Sequence, residues 1–290
     1  MAKFSNSIYN LAMTNQYPQP SLNISDVIIA GFRIYRDHFK QYFTMALVGC
    51  LWLIVPVYGW AKFLATLGAI ARLAFFEVSE RPEAPSDAKR YTNKRQWSFF
   101  GQLLLVGLIL IGIVIGFSMI LGAAIFIFMK LNFESFWLSW LIFLLAVFGF
   151  IILYLGFIWI SARLYICDVI LALEDQTNAK KSVRKSWEIT EESEFQIMGI
   201  LIVAFLATLP FPIATRFILL ISRLLINSLV TAEVAVWLNL LVVSAVLISM
   251  GALTLPFFKS IKAVIYYDLI NQHNQDEQNL VTDNPKILEI

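Results

Sequence analysis

Six apolar runs, set apart by short charged stretches, organise this chain, and length is the clearest guide to what each becomes. A helix needs roughly 20 mostly apolar residues to cross about 30 Å of hydrocarbon. The runs cover 42–60, with Pro56 near the far end; 62–78, with Arg72 near its exit; 97–129; 136–173; 195–211, closed by Pro210 and Pro212; and 234–269, where Pro256 predicts a kink. The third and fourth would measure near 50 Å at about 1.5 Å per residue, so they are expected to tilt or to protrude beyond the bilayer. The prediction is an all-α, polytopic transmembrane bundle of about six spans with interfacial helices on its cytoplasmic side. It divides into a polar tail over 1–24, a six-span membrane domain over 25–270 and a polar tail over 271–290.

A further run, 213–230, resists the same reading. It is apolar enough to span, but Arg216 and Arg223 lie seven residues apart and so on one helical face. An Arg at mid-bilayer costs at least about 2.5–3.5 kcal/mol. A helix lying in the interface keeps that face wet and the rest in lipid, and this is the preferred reading. A seventh span would put the C-terminus outside.

Composition agrees with a membrane class. Hydrophobic residues make up 59% of the chain and charged ones 14%, with a mean hydropathy of +0.73. A soluble chain carries about 25% charged residues. Cys50 and Cys167 sit in separate apolar runs and read as small buried hydrophobes. The first two dozen residues lack an apolar signal core, so the first span is expected to direct insertion itself.

The net charge of +2 says little, but its placement sets an orientation. Basic residues gather before the first run (Lys3, Arg33, Arg36, Lys40), after the second (Arg81, Lys89, Arg90, Lys94, Arg95) and after the fourth (Lys180, Lys181, Arg184, Lys185). The other connections carry Lys62, Lys130, Arg216 and Arg223. Cytoplasmic loops carry the Lys/Arg excess, so both termini are expected in the cytoplasm.

The cytoplasmic ends of the second, fourth and sixth runs look alike. They read Ala71–Val78, Ala162–Val169 and Lys262–Leu269, each with an acid before an aliphatic residue and a base five or six positions earlier. Ser25-Asp26, Ser86-Asp87 and Thr177-Asn178 precede the three hairpins as candidate helix caps. A unit of interfacial helix plus two spans, used three times, would explain this; the alternative is that membrane exits simply resemble one another. Arg72 and Glu77, like Arg163 and Asp168, are five apart and off helical contact spacing, so their partners should come from other helices. Arg72, Arg163, Asp168 and Asp268 form a candidate polar cluster on the cytoplasmic rim, unless each snorkels separately. Gly112 and Gly116, backed by Gly107 and Gly122, suggest close helix packing, within the chain in preference to dimerisation.

The segment after the fourth run carries the most pointed local pattern. Lys180, Lys181, Arg184 and Lys185 occupy the first half of a helix whose second half holds Glu188, Glu191, Glu192 and Glu194. This opposes the helix dipole, so helix stability does not account for it. Beside an anionic leaflet each cation gains about 1 kcal/mol, which makes these four candidate lipid-headgroup contacts. Holding the loop inside is the competing explanation. Ala179, Val183 and Trp187 recur at four-residue spacing as the apolar stripe of an interfacial helix.

The stretch from Ala162 through Glu174 and on to Thr190 resembles a poorly characterised group of bacterial membrane proteins. The group includes the membrane domain fused ahead of some glycerophosphoryl diester phosphodiesterases, and stand-alone YciC-like proteins. Glu174, Ser186, Trp187 and Thr190 match its pattern, Ile189 replaces a Leu, and Tyr266-Tyr267-Asp268-Leu269 resembles its closing Tyr-x-Asp-Leu-Arg without the Arg. The resemblance implies a multi-pass protein of the bacterial cytoplasmic membrane. It implies no hydrolase, because that activity belongs to a separate soluble domain rich in acids and histidines, and this chain has only His38 and His273. No metalloprotease, phosphate-loop, nucleophile-elbow or dinucleotide motif occurs. The centres of the runs lack ionisable residues, which disfavours ion-coupled transport. The expectation is a non-enzymatic protein acting through membrane lipids or a membrane complex, with no cofactor, metal or nucleic acid. The alternative is a transporter or channel for an apolar or lipid-like substrate.

Overall fold

The computed structural model describes residues 23–130 and 136–283, and every regular element among them is an α-helix. In order these are α1 (Ile24–Asp37), α2 (Phe39–Trp52), α3 (Tyr58–Val78), α4 (Pro85–Lys94), α5 (Gln96–Lys130), α6 (Phe136–Arg163), α7 (Cys167–Leu173), α8 (Ala179–Ile189), α9 (Glu194–Thr208), α10 (Pro210–Leu229) and α11 (Ala232–Asp283). Four stretches are long and apolar enough to cross a membrane: Gln96–Ala123, Leu144–Leu173, Glu194–Leu229 and Ala232–His273.

The first hairpin departs from the run expected over 42–60. Its helix stops at Trp52, 14 residues long and so about 21 Å. Pro56 has no N–H to continue a ladder, and Val57 turns the chain with a φ of 62°. The turn is closed so tightly that a Cβ on Gly59 would lie 1.8 Å from the Trp52 carbonyl oxygen. Within α3, Lys62, Arg72 and Glu77 interrupt the apolar run.

Prolines act in the opposite sense further on. The run over 195–211 was expected to close at Pro210, yet Leu209 stays helical and α9 passes into α10. Pro210 occupies the first position of α10, where a missing N–H costs nothing. Residues 213–229 therefore follow the fifth run directly as part of α10. They pair with the start of α11, where Asn239 Nδ2 donates to Asn227 Oδ1 at 3.1 Å. Pro256 does not end α11, which runs on past 269 to Asp283. The fourth run breaks once, at 164–166, between α6 and α7.

The caps follow local chemistry more loosely. Asn178 Oδ1 accepts from Lys181 N at 3.2 Å, as a cap should. Asn23 caps α1, leaving Ser25 and Asp26 in the first turn, and α4 starts on Pro85 with no side-chain cap.

A single large core gathers at the end of the bundle that carries the short helices, through Val27, Ile34, Tyr42, Ile70, Ile170, Ile261 and Ile265. Small residues make the close approaches there. A Cβ on Gly31 would lie 2.8 Å from Ile261 Cγ1, and one on Gly68 would lie 2.6 Å from the Phe99 ring. Helices α1, α4 and α8 bury Gly31, Ala88 with Thr92, and Ser182 with Ser186 respectively. Their packing closes in a circle: α4 and α5 pack on α3, α8 on α7 and α9 on α6, and α1 and α2 on α11. Away from this end, the most apolar window of α5 and that of α6–α7 contain no buried residue. Gly107, Gly112, Gly116 and Gly122 have open space where a Cβ would sit, so among the described residues the glycine pattern mediates no packing.

Candidate functional site

Polar chemistry concentrates around α8, and two anchors hold that helix in place. The first is Arg163 at the end of α6. Its carbonyl accepts from Ser186 Oγ at 2.7 Å and, more weakly, from Thr190 Oγ1 at 3.4 Å. Its guanidinium donates to the Trp187 carbonyl at 2.9 Å and sits 3.6 Å from Glu194. The Trp159 and Trp187 rings lie 5.3 and 4.9 Å from the guanidinium carbon, within cation–π range. Ser186 and Thr190 are fully buried, so hydroxyls here replace apolar residues without leaving polar atoms unmet.

The second anchor is Glu174, just beyond α7. It accepts from Lys185, from Thr177 Oγ1 at 2.9 Å and from Tyr266 OH at 3.0 Å, tying α8 to α11. Burial pushes its carboxyl up, but those three hydrogen bonds and the Lys185 charge outweigh burial, and the net direction is down. Glu174, Ser186, Trp187 and Thr190 thus all lie at this junction.

The charged rim residues do not share a single cluster. Arg72 makes a two-pronged pair with Glu83, at 2.7 and 3.1 Å, and donates to the Ala172 carbonyl at 3.0 Å. Asp168 is held by Lys259 and by Lys262, the latter at 3.0 Å. Asp268 forms no ion pair among the described residues, and its charged neighbour is Asp26. Arg163 belongs to the α8 junction described above. Glu77 faces His38 at 3.8 Å and not Arg72, consistent with the five-residue spacing.

Three contributors had little signal in sequence. Lys259 sits one turn from Lys262 beyond Pro256, a spacing that places both on one face. Glu83 lies in an unremarkable polar loop. Arg95 reads as one more cytoplasmic cation, yet it donates to the carbonyls of Leu171 at 2.9 Å, Glu174 at 2.6 Å and Thr177, so closing the end of α7.

The outer face of α8 borders a groove of about 530 Å³ against α5. Leu105, Ile109, Leu164, Val183 and Trp187 form its apolar walls, and Lys180, Arg184 and Glu188 stand at its edge. Arg184 is paired with Glu188 at 2.7 Å and Lys185 with Glu174. Lys180 and Lys181 are exposed and make no ion pair among the described residues. A second groove of about 430 Å³ lies between α2 and α4. No family model, curated protein or solved structure matches this chain.

Proposed function

We propose that this is a six-span, non-enzymatic protein of a bacterial cytoplasmic membrane that works by holding anionic lipid at its cytoplasmic rim. The spans are α2, α3, α5, α6 with α7, α9 with α10, and α11, and the Lys/Arg distribution favours cytoplasmic termini. The circular packing of the short helices supports a unit of one short helix and one hairpin used three times. The resemblance to YciC-like proteins and the phosphodiesterase membrane domain supports the same class. Binding to a membrane complex is compatible with it.

The observation that carries the reading is the groove between α5 and α8, where apolar walls meet the exposed Lys180 and the Arg184–Glu188 pair. A phospholipid has the matching shape, with acyl chains for the walls and a phosphate for the cations. Leu105 and Ile109 continue along the same face of α5 to Gly112 and Gly116, whose open surface leaves a furrow for a chain. The test is retention of phosphatidylglycerol over phosphatidylcholine by protein in mixed nanodiscs. Lys180→Gln/Lys181→Gln/Arg184→Gln spares Lys185, which Glu174 needs. It is expected to lose the preference with orientation unchanged. Unchanged preference with altered orientation would assign the cations to topology alone.

The absence of buried residues in the most apolar windows of α5 and α6–α7 favours one other reading, passage of an apolar or lipid-like substrate between the hairpins. Fluorescent-lipid exchange between the leaflets of proteoliposomes, no faster than in protein-free vesicles, would dismiss it.

A further inference from the structure

The circular order of the helices relates the α5–α8 groove to a second position. In the first case the walls are the first helix of one hairpin and the short helix that follows that hairpin. The α2–α4 groove has the same construction, with α2 opening the first hairpin and α4 following it. The third equivalent position lies between α9 and α1, and it is filled: a Cβ on Gly199 would stand 2.7 Å from Ile24 Cδ1.

The α2–α4 groove is bounded by Lys40, Gln41, Thr44 and Met45 of α2 and by Pro85 and Lys89 of α4. Both lysines are exposed, and neither makes an ion pair among the described residues. They belong to separate helices, so helix stability does not explain why they meet. Above Lys40, the face at four-residue spacing runs through Thr44 to Val48, with Leu51 beside it, and these two hydrophobics are each 50% exposed. From Lys40 to Leu51 is about 16 Å of helix, close to the roughly 15 Å hydrocarbon depth of one leaflet. A cationic head end and an apolar stripe one leaflet long describe a lipid in outline.

We propose that the groove between α2 and α4 is a second anionic-phospholipid site, its phosphate held by Lys40 and Lys89 and its chain laid along Val48 and Leu51. The site rests on the lipid reading of the α5–α8 groove for its analogy, but its residues are separate and can fail separately.

Native mass spectrometry of the detergent-solubilised full chain, titrated with dioleoylphosphatidylglycerol against dioleoylphosphatidylcholine, counts the tightly held anionic lipids. Wild type is expected to hold one more than either Lys40→Gln/Lys89→Gln or Lys180→Gln/Arg184→Gln, and the fourfold variant to hold neither. Lys40→Arg/Lys89→Arg, which keeps the charge, should keep the lipid, and matching melting temperatures show that the loss is not unfolding. An unchanged count in Lys40→Gln/Lys89→Gln overturns the second site. An unchanged count only in Lys180→Gln/Arg184→Gln removes the first site and leaves the second standing. Displacement of the lipid by millimolar inorganic phosphate would also overturn the proposal, since it would show a phosphate site with no role for the chain.

Discussion

Arg163 and Glu174, together with the buried hydrogen bond from Gln102 Nε2 to Ser182 Oγ at 2.9 Å, hold α8 to the bundle. Arg163 lies within cation–π range of two indoles and contacts four residues of the α8–α9 region, Ser186, Trp187, Thr190 and Glu194, and it is almost wholly buried. Glu174 holds the adjacent Lys185, and its titration provides a test. Its carboxyl lies below the ordinary value of about 4.3, so its stabilising contribution is complete above that pH and is lost as pH falls through the folded value. Because it is partly exposed, the contribution is expected to be about 1 kcal/mol or less. Glu174→Gln should therefore lower the melting temperature in detergent at neutral pH. The gap to wild type should narrow below about pH 4.3; a constant gap down to acid pH would show that the charge is not what Lys185 and Tyr266 bind.

At the scale of elements, glycine divides the bundle into a packed end and an open one. Gly31 faces Ile261 so closely that both side chain and backbone of Ile261 lie within 3.2 Å of an added Cβ, while Gly112 has nothing within 4 Å. Overpacking typically costs about 1–3 kcal/mol, whereas Gly to Ala in a helix gains up to about 1 kcal/mol where space allows. Gly31→Ala should lower the melting temperature and Gly112→Ala should leave it unchanged or raise it. Equal effects would mean that α1 does not seat on α11 as described. Sequence reading found the helices themselves but misjudged where several end. Proline accounts for two of these boundaries: at Pro56 a helix ends and at Pro210 one begins, while Pro256 lies within α11 as a residue of the last run. Its neighbours decide among these outcomes, because a missing N–H matters only where a carbonyl is waiting for it.

For the whole molecule, the ion pairs of Asp168 join segments that are distant in the chain. Asp168 on α7 meets Lys259 and Lys262 on α11, with all three side chains less than a fifth exposed. Removing one partner of a buried pair costs about 3–5 kcal/mol, because the remaining charge loses both water and counter-ion. Asp168→Asn should be strongly destabilising. Adding Lys259→Met should restore part of the loss by removing one stranded cation, and Lys259→Met alone should be milder since Lys262 remains. If the double variant is no more stable than Asp168→Asn, the cations are not coupled through the carboxylate. The rim cluster expected from sequence instead resolves into separate pairs for Arg72, Arg163 and Asp168, while Asp268 makes none among the described residues. Spacing could show that Arg72 and Glu77 do not meet, but not that Glu83 would return eleven residues later to take that place.

The sequence by itself determined the helical membrane class and the amphipathic character of α8. Apolar run length, charge placement and side-chain chemistry are local properties, and the bilayer turns them directly into structure. Only the tertiary structure decided which cations are already spent on acids, which grooves stay open and which glycines face empty space. Those depend on the distances between helices that meet far apart in the chain, and an apolar residue carries the same local signal whether it faces lipid or another helix.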